Sequence, residues 1–166
     1  MNSKRFSGVF GIGCGLLVLS LDWSVVNNAL PAIQRSLLAS LSDLQWIMNI
    51  FSLVVSVFLV TMGRLSDALG RKKMFTIGLW IGMIASLGSA LSPTAGFLIF
   101  FRALQGIAAS IIVPASQSLM THTFPENQHG KAMGIWITII GVGLSSRTGC
   151  RRIHRRTSFL ALGLLF

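Results

Sequence analysis

Four stretches of this chain, about residues 9–30, 46–62, 74–91 and 95–121, are long and nearly free of charge. A fifth begins near residue 132 and loses its apolar character near residue 144. Each of the first four can supply the roughly 17–25 residues that cross a hydrocarbon core about 30 Å thick. No water is present there to satisfy backbone N–H and C=O groups, so such a stretch closes its hydrogen bonds internally, which selects helices over open strands. The composition agrees. The chain is 52% hydrophobic and 11% charged, whereas a typical soluble domain carries about 25% charged residues. The expectation is an all-α membrane protein with four complete transmembrane helices and part of a fifth, within residues 1–144.

The segments between the apolar runs give an orientation. Lys4 and Arg5 precede the first run, and "GRLSDALGRKK" between the second and third holds Arg64, Arg71, Lys72 and Lys73 against Asp67. Lys131 precedes the fifth run, while the alternate loops hold only Arg35 and none. Positive charge collects on the cytoplasmic side, so the N-terminus and the second and fourth loops are expected there, in a multi-pass protein. Trp46 and Trp80 are expected as interface anchors. A secretory signal would also begin with Lys4 and Arg5, but Asp22 interrupts the run and no small-residue cleavage site follows, so the first helix is expected to be retained.

The net charge of +10 invites a nucleic-acid reading, but five of the 14 basic residues (Arg147, Arg151, Arg152, Arg155 and Arg156) fall in "SSRTGCRRIHRR" near the end. That stretch has no aromatic interleaving, and no nucleic-acid partner is expected. Cys14 and Cys150 lack metal or disulfide spacing, and Cys14 reads as a small core residue. His122, His129 and His154 have no ligand-like spacing, and no catalytic or metal constellation is present. The chain is not expected to be an enzyme. Gly11, Gly13 and Gly15 imitate part of a nucleotide fingerprint, but no strand precedes them.

Ionisable residues inside apolar runs carry more information. A carboxylate at mid-bilayer costs at least about 2.5–3.5 kcal/mol, so Asp22 is expected to face a protein interior or an aqueous cavity, neutral or paired with a cation. Asn27 and Asn28 follow it. Arg102 shares a helical face with Gly106, Ser110, Pro114 and Ser118, bordered by Gln105 and Ala109. A small-residue face packs against other helices, so Arg102 is expected inside the bundle rather than snorkelling to the interface. Gly78, Gly82, Ser86 and Ala90 form a similar stripe in the third run. In the second loop, Gly63 permits close approach, and a helical backbone would pair Asp67 with Arg71 at i,i+4.

These residues together resemble a known family. "GRLSDALGRKK" is similar to the signature between helices two and three of the major facilitator superfamily. "LDWSVVNNALPAIQRSL" and "FRALQGIAASIIVPASQSLM" resemble the first- and fourth-helix motifs of its drug:proton antiporter branch, which often has fourteen helices. "FPENQHGKAMGIW" resembles the lead into the fifth helix. The resemblance covers about residues 8–144. It implies the N-terminal part of a major-facilitator helical bundle in a bacterial inner membrane, driven by a proton gradient with no cofactor. It implies small amphipathic drug-like substrates, lipid surroundings and an opposite C-terminal half that this chain lacks. It also implies proton or substrate coupling at Asp22, Arg102, Gln105 and Gly106, and a cytoplasmic gate at Gly63, Asp67, Gly70, Arg71 and Lys72.

The resemblance calls for a glycine-proline motif just after "GVG", where "SSRTGC" stands instead. A permitted back-translation of residues 147–166, read one base later, begins "GPGVGG" and restores that motif. Residues 145–166 are therefore expected to be an out-of-frame tail, and the chain alone is expected to be inactive in transport. The alternative reading is a small helical membrane protein that acts by interaction or oligomerisation.

Overall fold

The computed structural model describes residues 3–125 and 128–145, without the side chains of residues 3–10, 23, 24, 27, 28 and 143–145. Five helices follow in order: α1 (Ser3–Leu37), α2 (Leu41–Leu69), α3 (Arg71–Ala90), α4 (Ala95–Thr123) and α5 (His129–Ser145). No strand occurs among the described residues. By length and composition α2, α3 and α4 can cross a membrane. In α1 the apolar run among the described residues is Gly11–Asp22, shorter than the expected span. Of the expected tail only Ser145, the last residue of α5, is described, and residues 146–166 lie outside the described residues.

The helices are longer than the apolar runs. Hydrophobicity marks only the part suited to lipid, whereas backbone hydrogen bonding continues beyond it until a local signal stops it. For α2 that signal is a capping box. Ser40 Oγ accepts the Asp43 N–H at 3.2 Å, and Asp43 Oδ2 accepts the Ser40 N–H at 2.9 Å. This sets the start at Leu41, five residues before the expected position. At the other end α2 runs through most of the expected loop and stops at Gly70, which joins it to α3 as a single non-helical residue with φ +98°. Side chains rarely tolerate that backbone region, so glycine is the residue that permits so short a connection. Thr94 caps α4 by accepting the Phe97 N–H at 3.4 Å.

The bundle is organised around α4. Half of its most apolar stretch is buried, against 17% in α2 and 22% in α3. Small residues bring its neighbours close. Along α3, Gly78 lies against Ile111 and Ile112, Gly82 against Ala108, and Ser86 against Gln105. Those pairings run in opposite directions along the two helices, so α3 and α4 are antiparallel. Along α2, Val54 packs on Gly106 and Gly63 on Pro114, so α2 runs parallel to α4. Both small-residue stripes therefore serve helix packing. Helix α1 packs on α4 and α5. Its Gly15 admits Phe75 and Leu79 of α3, and its Gly13 admits Ile139 of α5. A core of Ile12, Leu16, Phe75, Ala108, Ile112, Ala115, Met120 and Ala132 joins α1, α3, α4 and α5.

Two expectations need correction. Cys14 is exposed rather than in the core, because its neighbours Ile12, Gly13, Gly15 and Leu16 take the buried face of α1. Trp46 and Trp80 are both exposed, but only Trp46 lies near a helix end. Trp80 sits halfway along α3, too far from either end to mark an interface on the same argument.

Candidate functional site

The packing carries Asp22, Arg102 and Gln105 to one place. Gly106 makes this possible. A Cβ there would lie 2.9 Å from Val54 Cβ and 3.0 Å from the Phe51 carbonyl oxygen. With only hydrogen at that position, α2 comes close enough for α4 to use its backbone. Arg102, one turn earlier, then reaches three helices.

Its guanidinium donates from Nη1 to Asp22 Oδ2 at 3.0 Å and to Gln105 Oε1 at 2.9 Å. Nε donates to the Ile47 carbonyl at 3.4 Å, a long contact. The guanidinium carbon lies 4.6 Å from the Phe51 ring centroid, within the range of a cation–π interaction. Gln105 completes the arrangement. Its Nε2 donates to Asp22 Oδ1 at 2.9 Å and to Ser86 Oγ at 3.1 Å, while its carbonyl faces Arg102. Both oxygens of the Asp22 carboxylate therefore accept a hydrogen bond, one from a charged donor and one from an amide.

Burial is uneven across this cluster. The Arg102 side chain is 3% exposed and Gln105 is 4% exposed, whereas the Asp22 side chain is 26% exposed. The cation is sealed among α1, α2 and α4, and the acid is the member that opens outward. The expectation that Arg102 faces the bundle rather than the interface agrees with this geometry. Asn27 and Asn28 were expected beside Asp22, but their side chains lie outside the described residues.

Gly63, Asp67, Gly70, Arg71 and Lys72, expected as a gate, lie toward the opposite end of the bundle. Arg71 Nε and Asp67 Oδ1 form an ion pair at 2.9 Å across the Gly70 break. The pair is solvent-exposed, with side-chain exposures of 31% and 60%. Exposed pairs of this kind contribute about 0–1 kcal/mol. The hydrogen bond from Gly70 N–H to the Ser66 carbonyl closes α2, and the Gly70 carbonyl accepts the Met74 N–H to open α3. An open groove between this break and Leu119 of α4 is lined by Asp67, Gly70 and the basic run Arg71 to Lys73.

Sequence reasoning missed three contributors. Ser86 was visible only as a small residue in a stripe, and its hydroxyl in fact holds Gln105. Phe51 and the Ile47 carbonyl gave no signal, since a ring or a backbone oxygen in an apolar run looks like any other until its partner is known.

Comparison with known proteins places the chain. The family model described as "Major Facilitator Superfamily" matches residues 12–146. The chain is 33% identical over 146 residues to a tetracenomycin C resistance and export protein of Streptomyces glaucescens, covering 88% of this chain and 27% of that protein. It is 36% identical over 141 residues to a puromycin resistance protein of Streptomyces alboniger, covering 84% and 28% respectively. It is 32% identical over 129 residues to a riboflavin transporter of Clostridioides difficile, covering 78% and 28%. The chain thus spans just over a quarter of the length of each of these relatives. With its helical bundle and these matches, the chain belongs to the major facilitator superfamily.

Proposed function

We propose that the chain supplies the N-terminal part of a proton-coupled multidrug exporter in a bacterial inner membrane, with its N-terminus in the cytoplasm. The observation that carries this reading is the Asp22–Arg102 pair. Removing two charges from water costs several kcal/mol per ion, and well-packed apolar residues would hold three helices together at less expense. Ionisable groups kept inside a membrane bundle point to a working role. Asp22 is the natural proton carrier, because its carboxylate is the least buried member of the cluster. Protonation removes the counter-charge of Arg102, which then keeps only Gln105, the Ile47 carbonyl and the Phe51 face. That exchange of partners supplies two states of the bundle for a gradient to bias. Gly63, Asp67, Gly70, Arg71 and Lys72 act as the cytoplasmic gate, with the wall opposite Asp22 supplied by a C-terminal half.

The export and resistance names of two relatives support amphipathic drug-like cargo, and the vitamin carrier among them shows that similar sequences serve other small molecules. A chimera tests the proposal. Residues 1–144 are exchanged for the matching part of the puromycin resistance relative, and puromycin efflux is followed in cells with and without an uncoupler. Uncoupler-sensitive efflux, reduced at least about tenfold by Asp22→Asn, is the expected result, since a group acting directly in a coupled step is worth a factor of this order. Full gradient-driven efflux in the Asp22→Asn chimera refutes the coupling role.

We propose further that residues 145–166 are translated out of frame. Sequencing the coding DNA decides this. A shifted frame without a long apolar continuation ends the proposal.

A further inference from the structure

Arg102 holds its neighbouring helices unevenly. Gln105 stands on the same helix, three residues on, so that bond ties nothing across an interface. The contacts described above that do reach other helices are the Asp22 carboxylate of α1 at 3.0 Å and, on α2, the Ile47 carbonyl and the Phe51 ring. The carbonyl bond is long at 3.4 Å, against about 2.9–3.0 Å for an ordinary N–H···O bond. The ring is better placed. Its centroid lies 4.6 Å from the guanidinium carbon, inside the roughly 6 Å over which an aromatic face attracts a cation. Phe51 is 5% exposed and the Arg102 side chain 3%, so the two meet inside the packed part of the bundle.

A ring face attracts a cation through the net charge it meets. With Asp22 ionised, the guanidinium is countered at contact distance and the ring adds less. With Asp22 neutral, the full positive charge remains. Water cannot take it up, because the Arg102 side chain is sealed and α2 closes against α4 at Gly106, where a Cβ would stand 2.9 Å from Val54 Cβ. What is left between helices is the electron-rich face of Phe51, with the Ile47 carbonyl beside it. Both belong to α2. We infer that Phe51 is a positioning residue of this cluster, whose ring takes over the hold on Arg102 when Asp22 is neutral and so moves that hold from α1 to α2. An aliphatic side chain of similar size would fill the same space without this attraction. The inference rests on the transport reading in one respect, that Asp22 becomes neutral during the working cycle.

Fluorination of the ring tests it, since fluorine withdraws charge from the aromatic face and changes the size of the ring little. Mono-, di- and trifluorinated phenylalanine replace Phe51 alone, in the full chain with Asp22 and in the Asp22→Asn variant. Folding equilibria are measured in mixed detergent micelles, in mildly alkaline buffer that favours the Asp22 carboxylate. With Asp22 present, the folding constant is expected to change less than about twofold across the series. With Asp22→Asn it is expected to fall with each fluorine, by at least about tenfold from none to three, the scale of a desolvated cation–π contact. A packing cost of fluorine is common to both backgrounds and cancels in the comparison. Should Asp22→Asn not fold, Asp22→Ser supplies the neutral background, since its short side chain does not press on the Gln105 amide. Equal dependence on fluorine in the two backgrounds, flat or steep, overturns the inference. The series involves no transport, so gradient-driven efflux by the Asp22→Asn chimera removes the coupling reading and leaves the part assigned to Phe51 standing.

Discussion

Asp22→Asn is the most informative single change, because it keeps the shape of the side chain and alters only what its atoms can do. In the native site one carboxylate oxygen faces Arg102 Nη1 at 3.0 Å and the other faces Gln105 Nε2 at 2.9 Å. Both partners are donors. An asparagine has one oxygen and one amino group, so one of these two contacts becomes donor against donor whichever way the amide turns. Gln105 cannot rotate to relieve this freely, since its own carbonyl already accepts from Arg102. The variant loses one hydrogen bond, converts the other to an uncharged acceptor, and leaves a buried guanidinium without its counter-ion. Removing one member of a buried pair costs about 3–5 kcal/mol. The exposure of Asp22 lets water screen part of that loss, which places the expectation near about 2–3 kcal/mol. Reversible unfolding in mixed detergent micelles, followed by far-ultraviolet circular dichroism, measures it. Arg102→Gln and the double variant complete a cycle. Because the side chains touch, the double variant is expected to be less destabilised than the sum of the singles by at least about 1 kcal/mol. Additive losses, or an Asp22→Asn variant within about 0.5 kcal/mol of the native chain, refute the claim that this pair organises the bundle.

Other perturbations reach separate parts of the argument. Gly106→Val places a branched side chain against Val54 and the Phe51 carbonyl, and is expected to destabilise by about 1–3 kcal/mol and to lengthen the α2–α4 distance measured between spin labels. Gly70→Ala forces a side chain into φ +98° and is expected to cost about 1–3 kcal/mol in the same unfolding assay. Asp67→Ala removes only an exposed pair and is expected to change stability by less than about 1 kcal/mol, so a loss of efflux in the chimera would report gating rather than folding. Trp136→Phe removes the bond from Nε1 to Ser116 Oγ at 3.1 Å and is expected to loosen α5 from α4 by about 1 kcal/mol, seen as faster amide exchange in α5.

What the sequence disclosed follows from where each signal resides. Helix type and number are local properties of apolar runs, and these were legible. The inward aim of Arg102 was legible too, because its partners on the helix face, Gly106 and Ser110, are themselves in the sequence at fixed spacing. Helix ends were less so. The capping box that starts α2 is written in Ser40 and Asp43, but an apolarity window begins only where lipid-compatible residues dominate. The pairing of Asp22 with Arg102 crosses 80 positions, and a single sequence holds no record of which distant residues meet.

Arg102 also has a thermodynamic consequence. One side chain is bound at once to an acid on α1, a backbone carbonyl on α2 and an amide on α4. Any event that changes its hold on one of them changes the free energy of its hold on the others. Linkage makes that relation reciprocal. If a proton on Asp22 favours a displaced α2 by some factor, then displacing α2 by other means, such as a molecule bound on its far side, raises the proton affinity of Asp22 by the same factor. In the proposed exporter, cargo and proton therefore need not touch to be exchanged for one another. It is enough that both act on the same guanidinium.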